Sequence, residues 1–239
     1  MNIKSKSIFY GVGVGPGDPE LLTLKGFKIL KNMDVIFVPK AKAKDDSLAR
    51  EIIENILDKK KEFIELEFPM VKDKGELEKR YKNSAEIIIQ KINSGKKVAY
   101  LTIGDPLLYS TYIYLLGALK EADPDLVIET IPGVSAYSAV AARFSCSMAE
   151  KNEKICICTV PDDLNDLKKT ITDHDTVVMM KVAKRLPEVI ELLRELDLAK
   201  DAIFGSHVGM AGEKLIQGFD DSASLSEKEG YLSTIIVRK

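Results

Sequence analysis

Two glycine-rich segments contain the residues best suited to bind a ligand. Residues 11–18 read Gly-Val-Gly-Val-Gly-Pro-Gly-Asp, and residues 103–109 read Ile-Gly-Asp-Pro-Leu-Leu-Tyr. Each follows a short apolar run and precedes a helical pattern, so each is expected at the carboxyl end of a strand, where α/β proteins bind ligands. Glycine permits close approach of the backbone to a ligand and the positive φ angles that such turns often need.

Neither segment matches a phosphate-binding motif. A dinucleotide fingerprint requires G-x-G-x-x-G, but its last position is Pro16 when counted from Gly11 and Asp18 when counted from Gly13. No glycine is placed for the P-loop pattern G-x-x-x-x-G-K-[ST]. Asp18 and Asp105 would also repel phosphate, so the sequence indicates a cationic or neutral ligand.

The cysteines and histidines form no catalytic or metal-binding pattern. Three cysteines without a C-x-x-C pair, together with two histidines, suggest neither a disulfide framework nor a zinc site. Cys156 and Cys158 are expected on one face of a strand, as small buried side chains. We therefore expect no protein-bound metal, and the sequence assigns no catalytic residue.

Composition restricts the classes of partner. The 35 basic and 37 acidic residues nearly cancel, which argues against a nucleic-acid-binding surface. No run of 18 apolar residues occurs, and residues 1–6 lead into a strand rather than a signal-peptide core. These features indicate a cytoplasmic protein without a membrane partner.

Strand-like and helix-like patterns alternate, which predicts an α/β fold with largely parallel sheets. The first half is predicted to contain strands at residues 7–10, 34–38, 63–68 and 98–103, and helices at 24–33, 47–57, 75–93 and 109–120. The polar, proline-containing segment at residues 121–125 places the domain junction there, giving domains 1–122 and 123–239.

The second half is predicted to end in a mixed sheet. Its predicted elements are a strand at residues 126–130, a turn at 132–133, a helix at 135–144, and strands near Ile155, Thr176 and Ala202. Residues 214–217 and 232–237 look like strands joined without a helix, so this end of the sheet is expected to be antiparallel. The prediction is two α/β domains, a mainly parallel first sheet, a mixed second sheet, and an active site in the cleft between them.

Three motifs in this order resemble those of the tetrapyrrole (corrin and porphyrin) methylase family, which transfers methyl groups from S-adenosylmethionine. They are Gly-Val-Gly-Pro-Gly-Asp-Pro-Glu-Leu-Leu-Thr-Leu-Lys-Gly at residues 13–26, Gly-Asp-Pro-Leu-Leu-Tyr-Ser-Thr at 104–111, and Ile-Pro-Gly-Val-Ser-Ala at 131–136. The resemblance covers essentially the whole chain. It implies the two-domain fold of that family and a homodimer.

Within the family, further features resemble the members that methylate C20 of precorrin-2 or cobalt-factor II in cobalamin synthesis. These features are Val38-Pro39-Lys40, Phe68-Pro69-Met70 and Met179-Met180-Lys181. The uroporphyrinogen III methylases carry Tyr-Asp where this chain has Val38 and Pro39, so their proposed aspartate base does not carry over. The difference favours another ring position or substrate.

The resemblance also implies a set of residues that contact S-adenosylmethionine. They are Pro16, Ile103, Gly104, Asp105, Leu108, Ser135, Ala136, Met180, Val208, Ser233 and Thr234. Asp105 would hold the positively charged amino-acid part of the cofactor, and backbone groups near Met180 and Val208 would bind its adenine. Two of these residues also fit a structural interpretation, since Asp105 could cap the following helix and Met180 could belong to the core.

The tetrapyrrole substrate is expected to carry many carboxylates, so basic side chains suit its binding site. The candidates are Gly13 and Gly15 of the first loop, and Lys40 and Lys42 where the chain leaves the second strand. The lysines fit a solvated charged loop equally well. Arg143, on the small-residue helix, could also reach the cleft.

Two other functions compete with this interpretation. Some methylases of the same fold act on ribosomal RNA or, as diphthine synthases do, on a protein; the neutral charge weighs against RNA, and the motifs weigh against both. The second competing interpretation is a binding protein without enzymatic activity, and the two intact ligand loops weigh against it. The sequence leaves open whether the substrate is metal-free or already holds cobalt.

Overall fold

The computed structural model describes residues 8–40, 47–58, 60–68, 73–219, 225, 227 and 229–239. The chain divides into two compact units, Met1–Ser135 and Ala136–Lys239, and each is considered by itself. The motif residues Pro69 and Met70 and the substrate-binding candidate Lys42 lie outside the described residues.

The first unit contains a parallel sheet. Its strands are β1 (Ile8–Gly13), β2 (Val35–Lys40), β3 (Glu62–Glu67), β4 (Val98–Thr102) and β5 (Val127–Ile131). They pair in the order β3-β2-β4-β1-β5, all in parallel. The carboxyl ends of β4, β1 and β5 are therefore neighbours at one edge of the sheet.

Helices follow the strands of this sheet. They are α1 (Leu24–Lys31), α2 (Leu48–Ile53), α3 (Lys74–Asn93) and α4 (Tyr112–Ala122). Thr23 and Asp73 begin α1 and α3, because their side-chain oxygens accept the N–H groups of residues 26 and 76 at 3.1 and 2.9 Å. α3 and α4 bury one face of the sheet in a core that includes Phe9, Phe37, Ile88, Tyr100, Leu115 and Leu119.

Two helix boundaries differ from the prediction by three residues or more. α2 ends at Ile53 rather than at residue 57. The buried Ser47 hydroxyl at its start makes no hydrogen bond within the part of the chain that the structure describes. α4 begins at Tyr112 rather than at residue 109, because Tyr109 has a φ of 50°, a left-handed conformation that cannot continue a right-handed helix.

One strand was assigned to the wrong sheet. The prediction places the strand at residues 126–130 in the second domain, but β5 pairs with β1 from Val127 to Ile131 and forms an edge of the first sheet. The polar segment at residues 121–125 thus connects α4 to β5 within the first unit. Its composition suits an ordinary helix-to-strand turn as well as a domain junction, so the sequence could not separate the two.

The second unit contains the mixed sheet that the sequence predicts. Its strands are β6 (Ile155–Thr159), β7 (Thr176–Met180), β8 (Ala202–Ser206), β9 (Lys214–Gln217) and β10 (Ser233–Arg238). They pair in the order β6-β7-β10-β8-β9. β6 and β7 are parallel, whereas β10 runs antiparallel to both β7 and β8, and β9 is antiparallel to β8.

Helices pack on both faces of this second sheet. They are α5 (Ala136–Arg143), α6 (Leu164–Asp173) and α7 (Leu186–Glu195). The core under α6 and α7 includes Phe204 of β8. The next residue, Gly205, faces Val140 of α5, and since successive strand residues point to opposite faces, α5 covers the other side. Among the described residues, no helix is both long and apolar enough to cross a membrane.

Candidate active site

The three predicted motifs of the first unit meet where β1, β4 and β5 end. The Val14 N–H donates to the Thr102 carbonyl at 2.9 Å, which extends the pairing of β1 and β4 into the loops. The Gly104 N–H then donates to the Gly15 carbonyl at 2.8 Å. The structure therefore brings the two glycine loops into direct hydrogen-bonded contact.

Glycines 13 and 133 are needed because backbone packs directly against them. A Cβ atom on Gly13 would lie 2.5 Å from the Gly104 carbonyl oxygen and 2.8 Å from the Gly133 nitrogen. A Cβ on Gly133 would collide with the same carbonyl oxygen. Because these neighbours are backbone atoms rather than flexible side chains, a larger residue would push the loops apart.

Gly104 has the opposite environment. Its φ of 68° is left-handed, and within the described residues no atom lies within 4 Å of the position that a Cβ would occupy. Gly104 as a residue is buried, but the side of its backbone where a side chain would project meets open space at the end of β4. Such an open, side-chain-free backbone is what a ligand-binding loop requires.

The Asp105 carboxylate connects two of the three loops. One of its oxygens accepts the Leu107 N–H at 2.9 Å, and the other accepts the Gly133 N–H at 3.2 Å. Asp105 does not cap α4, since that helix begins at Tyr112 after Thr111, and the alternative of a helix cap is wrong. A carboxylate can accept about four hydrogen bonds, so Asp105, which is half-buried, retains capacity for a ligand.

The other predicted cofactor residues of this unit lie in the same loops. Pro16 is buried after β1, Ile103 and Leu108 are half-buried around Gly104, and Ser135 is half-buried after β5. Gly15 has a φ of 83°. The carboxylate of Asp18 accepts the Glu20 N–H at 2.9 Å and begins a short 3-10 helix, so its role here is local.

Lys40, a candidate for substrate binding, lies at the carboxyl end of β2. Its ammonium pairs with Glu65 of β3 at 2.7 Å, and its side chain is only 12% exposed. The lysine therefore already has a carboxylate partner on the neighbouring strand.

The cofactor residues predicted in the second unit collect at one edge of its sheet. Met180 ends β7, and the register pairs it with Thr234 near the start of β10. Ser233 pairs with Ser206 at the end of β8, two residues before the buried Val208. The Ser233 hydroxyl donates to the Gly230 carbonyl at 2.7 Å, and Ala136 begins α5.

This edge also concentrates left-handed backbone at residues other than glycine. Lys181 and Ala183 after β7, His207 after β8 and Leu232 before β10 have φ angles of 53, 47, 51 and 49°. The His207 N–H donates to the Leu232 carbonyl at 3.2 Å, which links two of them. Such strained residues cluster at functional sites, and propensity in the sequence carries no signal for them.

Lys181 is the titratable group of that cluster whose ionisation is perturbed. Solvent reaches the residue, yet surrounding protein atoms desolvate its ammonium and lower its pKa. The other ionisable side chain, that of His207, is half-buried, and its ring centroid lies 5.9 Å from that of Tyr231.

The two cysteines of β6 are poorly suited to catalysis. Cys156 and Cys158 are half-buried against the core, and burial raises the pKa of the Cys158 thiol to about 11. The thiol stays protonated near neutral pH and is a poor nucleophile, as the structural interpretation of these cysteines expects.

Arg143 pairs with Glu213 at 3.3 Å, a partner 70 residues away that the sequence did not suggest.

Comparison with known proteins identifies similar sequences over nearly the whole chain. The family model for Tetrapyrrole (Corrin/Porphyrin) Methylases matches residues 9–221. A protein of Methanocaldococcus jannaschii, named "Probable cobalt-precorrin-2 C(20)-methyltransferase", is 39% identical over 96% of this chain and 95% of its own. The "Cobalt-precorrin-2 C(20)-methyltransferase" of Salmonella typhimurium is 31% identical over 96% of this chain and 95% of its own.

A solved structure has the same fold at low sequence identity. The uroporphyrin-III C-methyl transferase of Thermus thermophilus, complexed with S-adenosyl homocysteine, aligns with a TM-score of 0.66 and 17% identity. The alignment covers 97% of this chain and 92% of that one.

Proposed function

Because the chain belongs to the tetrapyrrole (corrin/porphyrin) methylase family, we propose that it transfers the methyl group of S-adenosylmethionine to C20 of precorrin-2 or cobalt-factor II in cobalamin biosynthesis. The observation that carries the proposal is 39% and 31% sequence identity, over nearly the full length, to two relatives named for this reaction. The Val38-Pro39 pair supports it, because the Tyr-Asp pair of the uroporphyrinogen III methylases is replaced there.

The proposed cofactor site uses the carboxyl ends of strands in the first unit, and in the second unit the residues after β7 and β8 together with the start of β10. In the first unit it comprises Pro16, Ile103, Gly104, Asp105, Leu108 and Ser135, and in the second Ala136, Met180, Val208, Ser233 and Thr234. The open backbone at Gly104 and the spare acceptor capacity of Asp105 fit the ammonium of this ligand. Backbone groups beside Met180 and Val208 would bind the adenine.

The chemistry requires little from the protein beyond binding and orientation. S-adenosylmethionine supplies a methyl group on a sulfonium, a leaving group that needs no acid. The loops of this chain would hold the two reactants in line and exclude water, and positioning of this kind supplies much of the rate enhancement. The absence of an assigned catalytic side chain is consistent with that mechanism.

The substrate is proposed to be a tetrapyrrole with carboxylate side chains. Gly13 and Gly15 would bring backbone to the macrocycle, and Lys40 and Lys42 would attract its carboxylates. Lys40 would then share its ammonium between the substrate and Glu65. We also propose a homodimer, which light scattering at micromolar concentration tests directly.

Two measurements test the proposal. Equilibrium dialysis should detect S-adenosylmethionine bound by the purified protein. Anaerobic turnover with carbon-13-labelled methyl donor should place the label at C20, and comparison of precorrin-2 with cobalt-factor II identifies the preferred substrate. No cofactor binding, or label at another position or on RNA or protein, would overturn the proposal.

A further inference from the structure

The turn between β8 and β9 contains a carboxylate that holds its backbone in place. Residues 207–213 form this turn, in which Gly209 and Gly212 have φ angles of 81 and 86°. The Met210 and Glu213 N–H groups donate to the His207 and Met210 carbonyls at 2.9 and 3.1 Å. The pairing of Ser206 with Lys214 closes the turn, and the His207 N–H donates to the Leu232 carbonyl at 3.2 Å, so the remaining question is what holds the residues between these ends.

Glu213 supplies one such contact. Its carboxylate oxygen Oε2 accepts the Gly209 N–H at 2.6 Å, and the side chain is 25% exposed. The same oxygen accepts hydrogen bonds from Nε and Nη2 of Arg143, the last residue of α5, at 3.4 and 3.3 Å. Glu213 thus joins the turn to the helix that begins at Ala136.

Apolar packing connects the same two elements beneath this link. A Cβ on Gly205 would lie 2.7 Å from a methyl of Val140 and 2.9 Å from a methyl of Val208. Val208 of the turn and Val140 of α5 therefore both cover Gly205, and Val208 is 5% exposed. This packing and the Glu213 link both connect the turn that carries Val208 to α5.

The two interactions of Glu213 differ in strength. The pair with Arg143 is long, and the arginine is 45% exposed, so it resembles the surface ion pairs that contribute little. The bond to the Gly209 amide is short and charge-assisted, and such bonds are roughly twice as strong as neutral ones. The amide bond is therefore the interaction expected to position the turn.

We propose that Glu213 is a positioning residue for cofactor binding, because its bond to the Gly209 amide holds the turn that carries Val208. The inference rests on the proposed function, in which the backbone at Val208 binds the adenine. It adds a residue that does not itself touch the cofactor.

The test compares dissociation constants for S-adenosylmethionine and melting temperatures across four variants. Glu213→Ala should weaken binding about tenfold, whereas Glu213→Gln, whose carbonyl still accepts the amide, should stay within about threefold of the parent protein. Arg143→Ala should stay within about twofold. The matched control is Glu188→Ala. Glu188 lies on α7 of the same unit and pairs with Arg185, and its removal should leave binding unchanged.

The steady-state parameters add a second readout. Glu213→Ala should raise KM for S-adenosylmethionine while leaving kcat nearly constant, because binding rather than the chemical step depends on the turn. Should Glu213→Ala fail to fold, Glu213→Asp replaces it, since a carboxylate shortened by one carbon no longer reaches the amide at this distance.

The outcomes separate this inference from the proposed function. If the parent protein does not bind S-adenosylmethionine, the proposed function fails. If the parent protein binds it and Glu213→Ala binds equally well, with or without a lower melting temperature, the positioning role of Glu213 is overturned. Loss of affinity in Arg143→Ala equal to that in Glu213→Ala would also overturn the assignment to the amide bond.

Discussion

The Asp105 carboxylate accepts the N–H of Gly133 at 3.2 Å, and this bond ties the loop after β4 to the loop after β5. Because β1 lies between these two strands, the bond spans the end of β1 and its glycine loop. Asp105 therefore has a structural function and, in the proposed site, a ligand-binding function. Substitutions that preserve one of them can separate the two.

Asp105→Ala is expected to lower the melting temperature and to weaken S-adenosylmethionine binding about ten- to a hundredfold, as for the loss of a hydrogen bond to a charged group. Asp105→Asn keeps one carbonyl acceptor but loses the charge, so it should recover part of the melting temperature without recovering affinity. Calorimetric titration and melting curves on both variants measure this. Affinity that recovers together with stability would assign Asp105 to structure alone.

Gly104→Ala is expected to affect the ligand far more than the fold. Gly104 and Gly95 both have left-handed φ angles, 68 and 83°, and a Cβ on either meets no described atom within 4 Å. Alanine at either position should cost about 1–2 kcal/mol of stability. Gly104→Ala alone should reduce affinity for S-adenosylmethionine, with Gly95→Ala as its control, and equal affinities in the two variants would contradict a binding role for this backbone.

The sequence predicted the α/β alternation, both sheet types and the loops at the strand ends, because those follow from periodicity and glycine placement. It could not predict that β5 pairs with β1, since a short apolar strand carries no information on its partner. The bond between Glu213 and Gly209 and the left-handed φ of Lys181 also escaped it. Both depend on tertiary geometry that a single sequence does not encode locally.

Gly133→Ala should destabilise the first unit more than Gly104→Ala does. Its φ is not left-handed, so the penalty comes from collision with the Gly104 carbonyl and with Gly13 backbone atoms at 2.9 and 3.0 Å. Overpacking of this kind costs about 1–3 kcal/mol, and here no side chain can move aside. Thermal melting of both variants measures the difference, and a smaller loss for Gly133→Ala would show that the loops separate easily.

Arg238 is expected to make the second unit sensitive to acid. Its guanidinium lies 2.9 Å from Glu153 and 3.2 Å from Glu150, and hydrogen bonding to Arg238 lowers the pKa of Glu153. A carboxyl with a lowered pKa in the folded state stabilises it above the unfolded pKa, and this contribution is lost as the pH falls through the folded pKa.

The melting temperature of Arg238→Ala should therefore lie below that of the parent protein at neutral pH. The difference should shrink once the pH falls below the ordinary range of glutamate, about 4.3. Lys239→Ala, at the neighbouring residue, serves as the control. A difference that stays constant from neutral to acidic pH would contradict this ion-pair explanation.

The pKa values of Lys181 and Lys82 should depart in opposite directions from that of an ordinary lysine. Desolvation lowers the pKa of Lys181, whereas the hydrogen bond and charge of Glu121 raise the pKa of Lys82. Only the neutral amine reacts with acylating reagents, so competitive labelling across alkaline pH should give Lys181 a midpoint below that of Lys82. Glu121→Gln should lower the midpoint of Lys82 alone. If Lys181 titrates at or above Lys82, its amine is not desolvated.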